Sequence, residues 1–187
     1  EKMRADKSLR EILQMVALMP MAIPGIVLGL AYIFFFNAKD NPLNFIYATM
    51  AILVINTVVH FYTVSHLSAI TAVKKLDQEF ESVSLSLKVP IYKMFFKITL
   101  PVCLPTVFDI FIYLFCNAMT TVSGVIFLYS YDTTLASVSA IHLDEQGDVA
   151  GAAAMAMLIV YISFVVRGLH TLVSTLLLKR TQAWRNI

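Results

Sequence analysis

Charge and apolarity run along this chain in long blocks rather than residue by residue. Residues 12–36 contain no charged side chain. Residues 41–73 contain none either, and their most apolar part is 45–64. Between 98 and 131 the one charge is Asp109, and from 149 onward the first is Arg167. Crossing about 30 Å of hydrocarbon as a helix takes about 20 mostly apolar residues. The pattern therefore predicts four spans, over 12–36, 45–64, 102–127 and 151–176. Pro20 and Pro24 should kink the first, and Gly25-x-x-x-Gly29 gives it a small-residue face for close packing against another span.

The basic residues orient these spans. Lys2, Arg4, Lys7 and Arg10 precede the first span, and Lys74, Lys75, Lys88, Lys93 and Lys97 follow the second. Lys179, Arg180 and Arg185 close the chain, so twelve of 14 Lys and Arg fall on one side. Because Lys and Arg are retained on the cytoplasmic side, both ends of this segment and the loop over 65–100 are expected there. The opposite side holds a short turn at 37–44 and an acidic segment at 129–150 with Asp132, Asp144, Glu145 and Asp148. Its apolar middle, 135–143, is too short to span and predicts a short interfacial or partly re-entrant helix. Two readings of that segment stand, a solvated loop and a lip that touches a partner.

Composition agrees with the pattern: 59% of the 187 residues are hydrophobic, 14% are charged, and the mean hydropathy is +0.78. Soluble domains carry about 25% charged residues, so a soluble domain, a disordered tail and a nucleic-acid binder are all excluded. Cys103 and Cys116 lie 13 positions apart on one predicted helix, about 20 Å at 1.5 Å per residue, too far for a disulfide. Opening on Glu1 without a signal peptide, the chain reads as part of a longer polypeptide.

The loop from 65 to 105, SHLSAITAVKKLDQEFESVSLSLKVPIYKMFFKITLPVCLP, is the informative one. Leu76, Phe80, Val83 and Leu87 recur at helical spacing and predict an amphipathic helix over 74–88. Pro90 ends it, and a second short helix over 91–98 leads into the third span. With Phe80, Tyr92, Phe95 and Phe96 exposed, this pair either lies on the membrane or enters a partner's groove.

This helix-turn-helix resembles the signature loop of type I ABC-importer permeases, whose pattern is roughly Glu-Ala-Ala, a Gly four residues after the last Ala, then Ile-x-Leu-Pro. Ile98-Thr99-Leu100-Pro101 matches the end of that pattern, with Pro105 following. The Glu-Ala-Ala positions fall on Ser82-Val83-Ser84, with Glu81 one residue earlier, and the Gly position falls on Lys88. Three stretches, SLKVPIYKMFFKITLPVCLP, NAMTTVSGVIFLYSYDTTLASV and AAAMAMLIVY, resemble the permease of 2-aminoethylphosphonate importers, while ALMPMAIPGIVLGLAYIFFFN also fits ferric-iron permeases of the wider group.

The resemblance implies an all-α membrane protein, the carboxyl-terminal part of a six-helix permease core, in a bacterial inner membrane. It implies two cytoplasmic ATPases, a second permease half in this or another chain, and a binding protein that delivers the substrate, a small phosphonate or alternatively ferric iron or another small anion. Glu81, Ser82, Val83 and Ser84 would be the docking stretch, Leu87 and Phe95 its apolar anchors, with Lys88 and Pro101 in the same motif. The chain has no GxxxxGK[ST] phosphate loop, so ATP is expected to be bound and used by the partner and no cofactor by this chain. A non-transport scaffold is the reading from a different class, but it would not need the amphipathic loop.

Polar groups in hydrocarbon are functional candidates by default. Asp109 and Arg167 sit at similar predicted depth, about 10–14 Å from the cytoplasmic ends of their helices. They form an intramembrane ion pair, or else Arg167 snorkels to the headgroups and Asp109 faces a wet cleft. Asn117, Thr120, Thr121 and Ser123 either line a pathway for a small zwitterion or join helices. Asn56 and His60, one turn apart, carry the same two readings. No arrangement of His60, His66, His142 and His170 with carboxylates has metal spacing, and no nucleophile-base set suggests catalysis.

Overall fold

In the computed structural model the described residues are 7–76 and 79–181, with side chains described for 11–76 and 82–175. Lys2, Arg4 and Arg185 of the basic ends lie outside them, as do the side chains of Lys7, Arg10, Glu81, Lys179 and Arg180. Every regular element among the described residues is helical. Among the described residues two helices are long and apolar enough to cross a membrane, Ile91–Thr120 and Val149–Thr175, or up to four if each bent pair counts as one span. The chain divides into two compact units, residues 1–64 with 114–163 and residues 65–113 with 164–187.

In the first unit, α1 (Lys7–Ala22) and α2 (Gly25–Phe36) are bent by 104°. Pro20 stays inside α1, and the chain turns at Ile23 and Pro24 instead. A residue before proline avoids the α region, and Pro24 itself is extended, at φ −57° and ψ 138°. Leu28 N–H donates to the Pro24 carbonyl at 3.1 Å and starts α2. At the other end the last carbonyls of α2 need partners from outside the helix. Asn41 Nδ2 donates to the Phe35 carbonyl at 2.7 Å and Asn44 Nδ2 to that of Phe36 at 2.9 Å.

Helix α3 (Met50–His60) is separated from α4 (Tyr62–Lys74) by a break at Phe61. Helix therefore begins five residues inside the predicted second span and continues to Lys74. Buried Thr63 donates to the Ala17 carbonyl at 2.9 Å and ties the start of α4 to α1.

Helix α7 (Leu100–Thr120) stops seven residues short of the predicted end of the third span. Residues 121–129 turn repeatedly, with Val125 N–H on the Val122 carbonyl at 3.0 Å and Leu128 N–H on that of Val125 at 2.9 Å. Val125 and Leu128 are fully buried with Ile52, Leu53 and Val138, rimmed by Tyr32, Ile33 and Phe36 of α2 and by Tyr129. Lipid is as apolar as leucine, so packing rather than transfer from water drives this association.

Residues 135–143 of the acidic segment fall in α8 (Ala136–Glu145) and the residue before it. Ser137 Oγ donates to the Thr121 carbonyl at 2.8 Å, and Tyr129 Oη is 2.6 Å from His142 Nε2. The last helix, α9, runs over Val149–Thr181.

The second unit contains α5 (Glu79–Ser86), α6 (Ile91–Met94) and a π turn over Phe95–Thr99 that enters α7. Leu100 N–H donates to the Phe95 carbonyl, five residues back. The widened turn falls just before Pro101, whose missing N–H would leave an α-helical bond unmade. Ile91–Thr120 is helical throughout, with Pro101 and Pro105 inside it.

Candidate functional site

Three clusters carry polar or partner-facing chemistry. The first is the α5–α6 turn. Val89 N–H donates to the Ser84 carbonyl at 3.0 Å and Lys88 N–H to the Leu85 carbonyl at 3.1 Å, the paired bonds of a Schellman end. Lys88 occupies the left-handed position of that motif at φ 53°, where glycine is favoured because it has no Cβ to clash. The signature pattern has its Gly at this position, so the pattern's glycine and this lysine have the same backbone task. Ser84 is buried and its hydroxyl reaches the Val89 carbonyl at 3.4 Å. It ties the turn together instead of facing outward with its neighbours.

Ser82 and Val83 are exposed, and so are Leu87, Lys88, Phe95 and Pro101. Glu81 lies in α5 with its side chain outside the described residues. Leu85, Leu87, Tyr92 and Phe96 are each more than 60% exposed, an unusual apolar display for so short a segment. A display of that kind suits either a membrane surface or a groove on another protein.

The second cluster surrounds the α1–α2 bend. The turning backbone of residues 121–129 is packed directly on α2: a Cβ on Gly29 would meet the Gly124 carbonyl oxygen at 2.8 Å. A Cβ on Gly25 would meet Ser123 Oγ at 2.6 Å, Gly124 N at 3.2 Å and His60 Cε1 at 3.3 Å. The small-residue face of the first span therefore packs against an irregular segment rather than against a helix. Asn56, fully buried, donates from Nδ2 to the Gly124 carbonyl at 3.0 Å. Irregular backbone at membrane depth persists only where protein or a wet cavity satisfies it, and Asn56 performs that service here.

The residues expected near a pathway separate on inspection. Thr120 Oγ1 bonds back to the Cys116 carbonyl at 3.1 Å, within its own helix. The Asn117 carbonyl accepts Thr121 N–H at 2.8 Å, and the Thr121 carbonyl accepts Ser137. Ser123 is exposed while touching Gly25, so it alone of the four joins the bend to open space.

The third cluster is intramembrane charge. Asp109 Oδ1 lies 3.0 Å from His170 Nε2, a contact between α7 and α9 that does not have hydrogen-bond geometry. Arg167, one turn before His170, is exposed, and among the described residues no ion pair joins it to Asp109. Of the two readings for these residues, an Asp109–Arg167 pair or an Arg167 that snorkels, the described geometry has His170 rather than Arg167 beside Asp109. His170 shares a helix face with Arg167 at a spacing of three, the signal by which it could have been found. No group of three or more His, Cys, Asp or Glu among the described residues is placed to hold a metal ion.

Broken and bent apolar helices, candidate membrane spans by length and composition, make the described residues those of an all-helical protein of the multi-pass membrane class. Residues 2–179 match the family described as binding-protein-dependent transport system inner membrane component, and the chain belongs to that family. It is 30% identical over 163 residues to the ferric transport system permease protein FbpB of Actinobacillus pleuropneumoniae, covering 87% of this chain and 23% of that protein. It is 35% identical over 130 residues to the putative ferric transport system permease protein FbpB 1 of Haemophilus influenzae, covering 70% of this chain and 20% of that one. The chain thus spans roughly a fifth to a quarter of the length of these relatives. A bacterial ABC transporter involved in import of the acidic polysaccharide alginate shares the fold, with a TM-score of 0.73 at 14% identity over 93% of this chain and 68% of that one.

Proposed function

We propose that this chain is part of the permease of an ATP-driven importer whose cargo is ferric iron. The observation that carries the reading is the family match over residues 2–179 together with relatives named for ferric transport. Those relatives favour iron over 2-aminoethylphosphonate, the cargo suggested by the sequence stretches alone. Cytoplasmic ATPases dock on the exposed face of residues 82–96, a second permease half completes the core, and a binding protein supplies the cargo from the far side. Both ends of the segment lie in the cytoplasm of a bacterium with the helices in its inner membrane.

The coupling runs from α6 through the π turn into α7. A displacement imposed on α6 by a closing ATPase pair passes directly into the start of α7. ATP chemistry stays in the partner, and the permease converts its motion into access from one side or the other.

Deleting the gene that contains this chain should abolish energy-dependent accumulation of radiolabelled ferric iron in iron-limited cells, and the intact gene should restore it. Intact iron uptake in the deletion strain, with loss of growth on 2-aminoethylphosphonate as sole phosphorus source, would move the cargo to a phosphonate.

A further inference from the structure

We infer that the amino end of α2, with Ser123, His60 and Asn56, forms a contact site for a small oxyanion that also carries an N–H or O–H donor. This rests on the transport reading above and adds where the cargo is touched and by which of its groups.

The bend at Ile23 and Pro24 interrupts a span and leaves the start of α2 facing the irregular segment rather than continuing a helix. The first helical bond here is Leu28 N–H to the Pro24 carbonyl. The N–H groups of Gly25, Ile26 and Val27 therefore have no acceptor within the helix, and the helix dipole at that end favours negative charge. Ser123 Oγ and the His60 ring both crowd Gly25, at 2.6 and 3.3 Å from where its Cβ would be. Ser123 is exposed, which gives the cluster an approach.

A helix end alone would not make a site; the buried amide beside it supplies the second observation. Asn56 is 1% exposed, and its Oδ1 has no hydrogen-bond partner although its Nδ2 is satisfied by Gly124. That carboxamide abuts Gly124, whose own N is 3.2 Å from the position of a Gly25 Cβ. His60 Nδ1 is likewise buried without a partner. A buried polar atom left unpaired costs free energy, so Asn56 Oδ1 calls for a donor and His60 Nδ1 for a hydrogen-bond partner. Donors from α2 and Ser123 suit the oxygens of an anion, and Asn56 Oδ1 suits a donor on the same molecule. None of these residues carries a fixed negative charge, so the cluster does not suit a bare cation. The oxyanion is then either the cargo itself or the chelator in which ferric iron travels.

The test is equilibrium binding to the complete transporter in nanodiscs, with two probes: ferric citrate labelled in the iron, and labelled 2-aminoethylphosphonate. One of them should bind, and Ser123→Ala and His60→Gln should each weaken it about tenfold while thermal unfolding moves by less than about 2 °C. Loss confined to ferric citrate makes the oxyanion a chelator; loss confined to 2-aminoethylphosphonate makes it the cargo. Binding of neither probe, or equal affinity in both variants and the parent, overturns the site. ATP-dependent uptake in proteoliposomes separates the two ideas. Uptake with an unaltered KM in both variants removes the site and leaves the transport reading. Absence of uptake of either probe by the parent removes the transport reading, whatever the nanodiscs show.

Discussion

Two prolines bend this chain, and the two bends are held in opposite ways. At Pro24 the turn between α1 and α2 depends on distant residues: Ser123, Gly124 and His60 crowd Gly25, and Asn56 satisfies the Gly124 carbonyl. At Pro90 the turn between α5 and α6 is closed by its own residues, through Val89 to Ser84 and Lys88 to Leu85. The first needs a folded neighbourhood because hydrocarbon offers no hydrogen bonds. The second needs none, and its outer face stays exposed. The proposed function gives them different tasks, the first held by packing inside its own unit and the second presented to the ATPases.

The largest expected effect comes from overfilling the first bend. Gly29→Val puts a branched side chain where a Cβ alone would meet the Gly124 oxygen at 2.8 Å. It should destabilise by about 3 kcal/mol, read as a fall in folded yield and unfolding temperature, whereas the exposed Ser82→Val should not. Next is Leu87→Asp at the second bend. Leu87 is 69% exposed, so folding should persist. On the proposed docking, losing an apolar contact worth about 1.5–3 kcal/mol should weaken ATPase association tenfold or more in pull-down and uptake assays. Unchanged association would separate the apolar display from docking.

Lys88→Gly sharpens the comparison in the other direction. Relieving a left-handed lysine at φ 53° should stabilise by about 1 kcal/mol, visible as a higher unfolding temperature with docking retained. The smallest effect belongs to Asp109 and His170, 3.0 Å apart. A double-mutant cycle with Asp109→Asn and His170→Phe should give a coupling of about 0.6 kcal/mol. The same cycle with Arg167→Met should give none.

Legibility followed the physics of each feature. Charge-free blocks are imposed by the bilayer and reveal where apolar helices lie, whereas the left-handed backbone at Lys88 emerged only with the structure. What hydropathy does not distinguish is a buried turn from a buried helix. Residues 122–128 are as apolar as the helix before them, yet they turn because Gly124 fits against α2. Likewise Pro20 and Pro24 both announce a kink, and only packing decides that the chain bends at the second. Ser84 reads as a surface residue among Ser82 and Val83 until the Schellman bonds turn it inward. The partner of Asp109 depended on helix rotation, which sequence spacing leaves open between Arg167 and His170.

The π turn at Phe95–Thr99 has a consequence for orientation. By spending one extra residue it offsets the angular phase of everything upstream, by about 100° for each residue gained or lost. The direction in which Tyr92 and Phe96 are presented is therefore set by a count of residues as much as by their identity. Closing that turn to an α turn with the residue count unchanged would keep every apolar side chain of the proposed docking face and swing that face through about a quarter turn. A lever can be disconnected in this way without altering either its handle or its load.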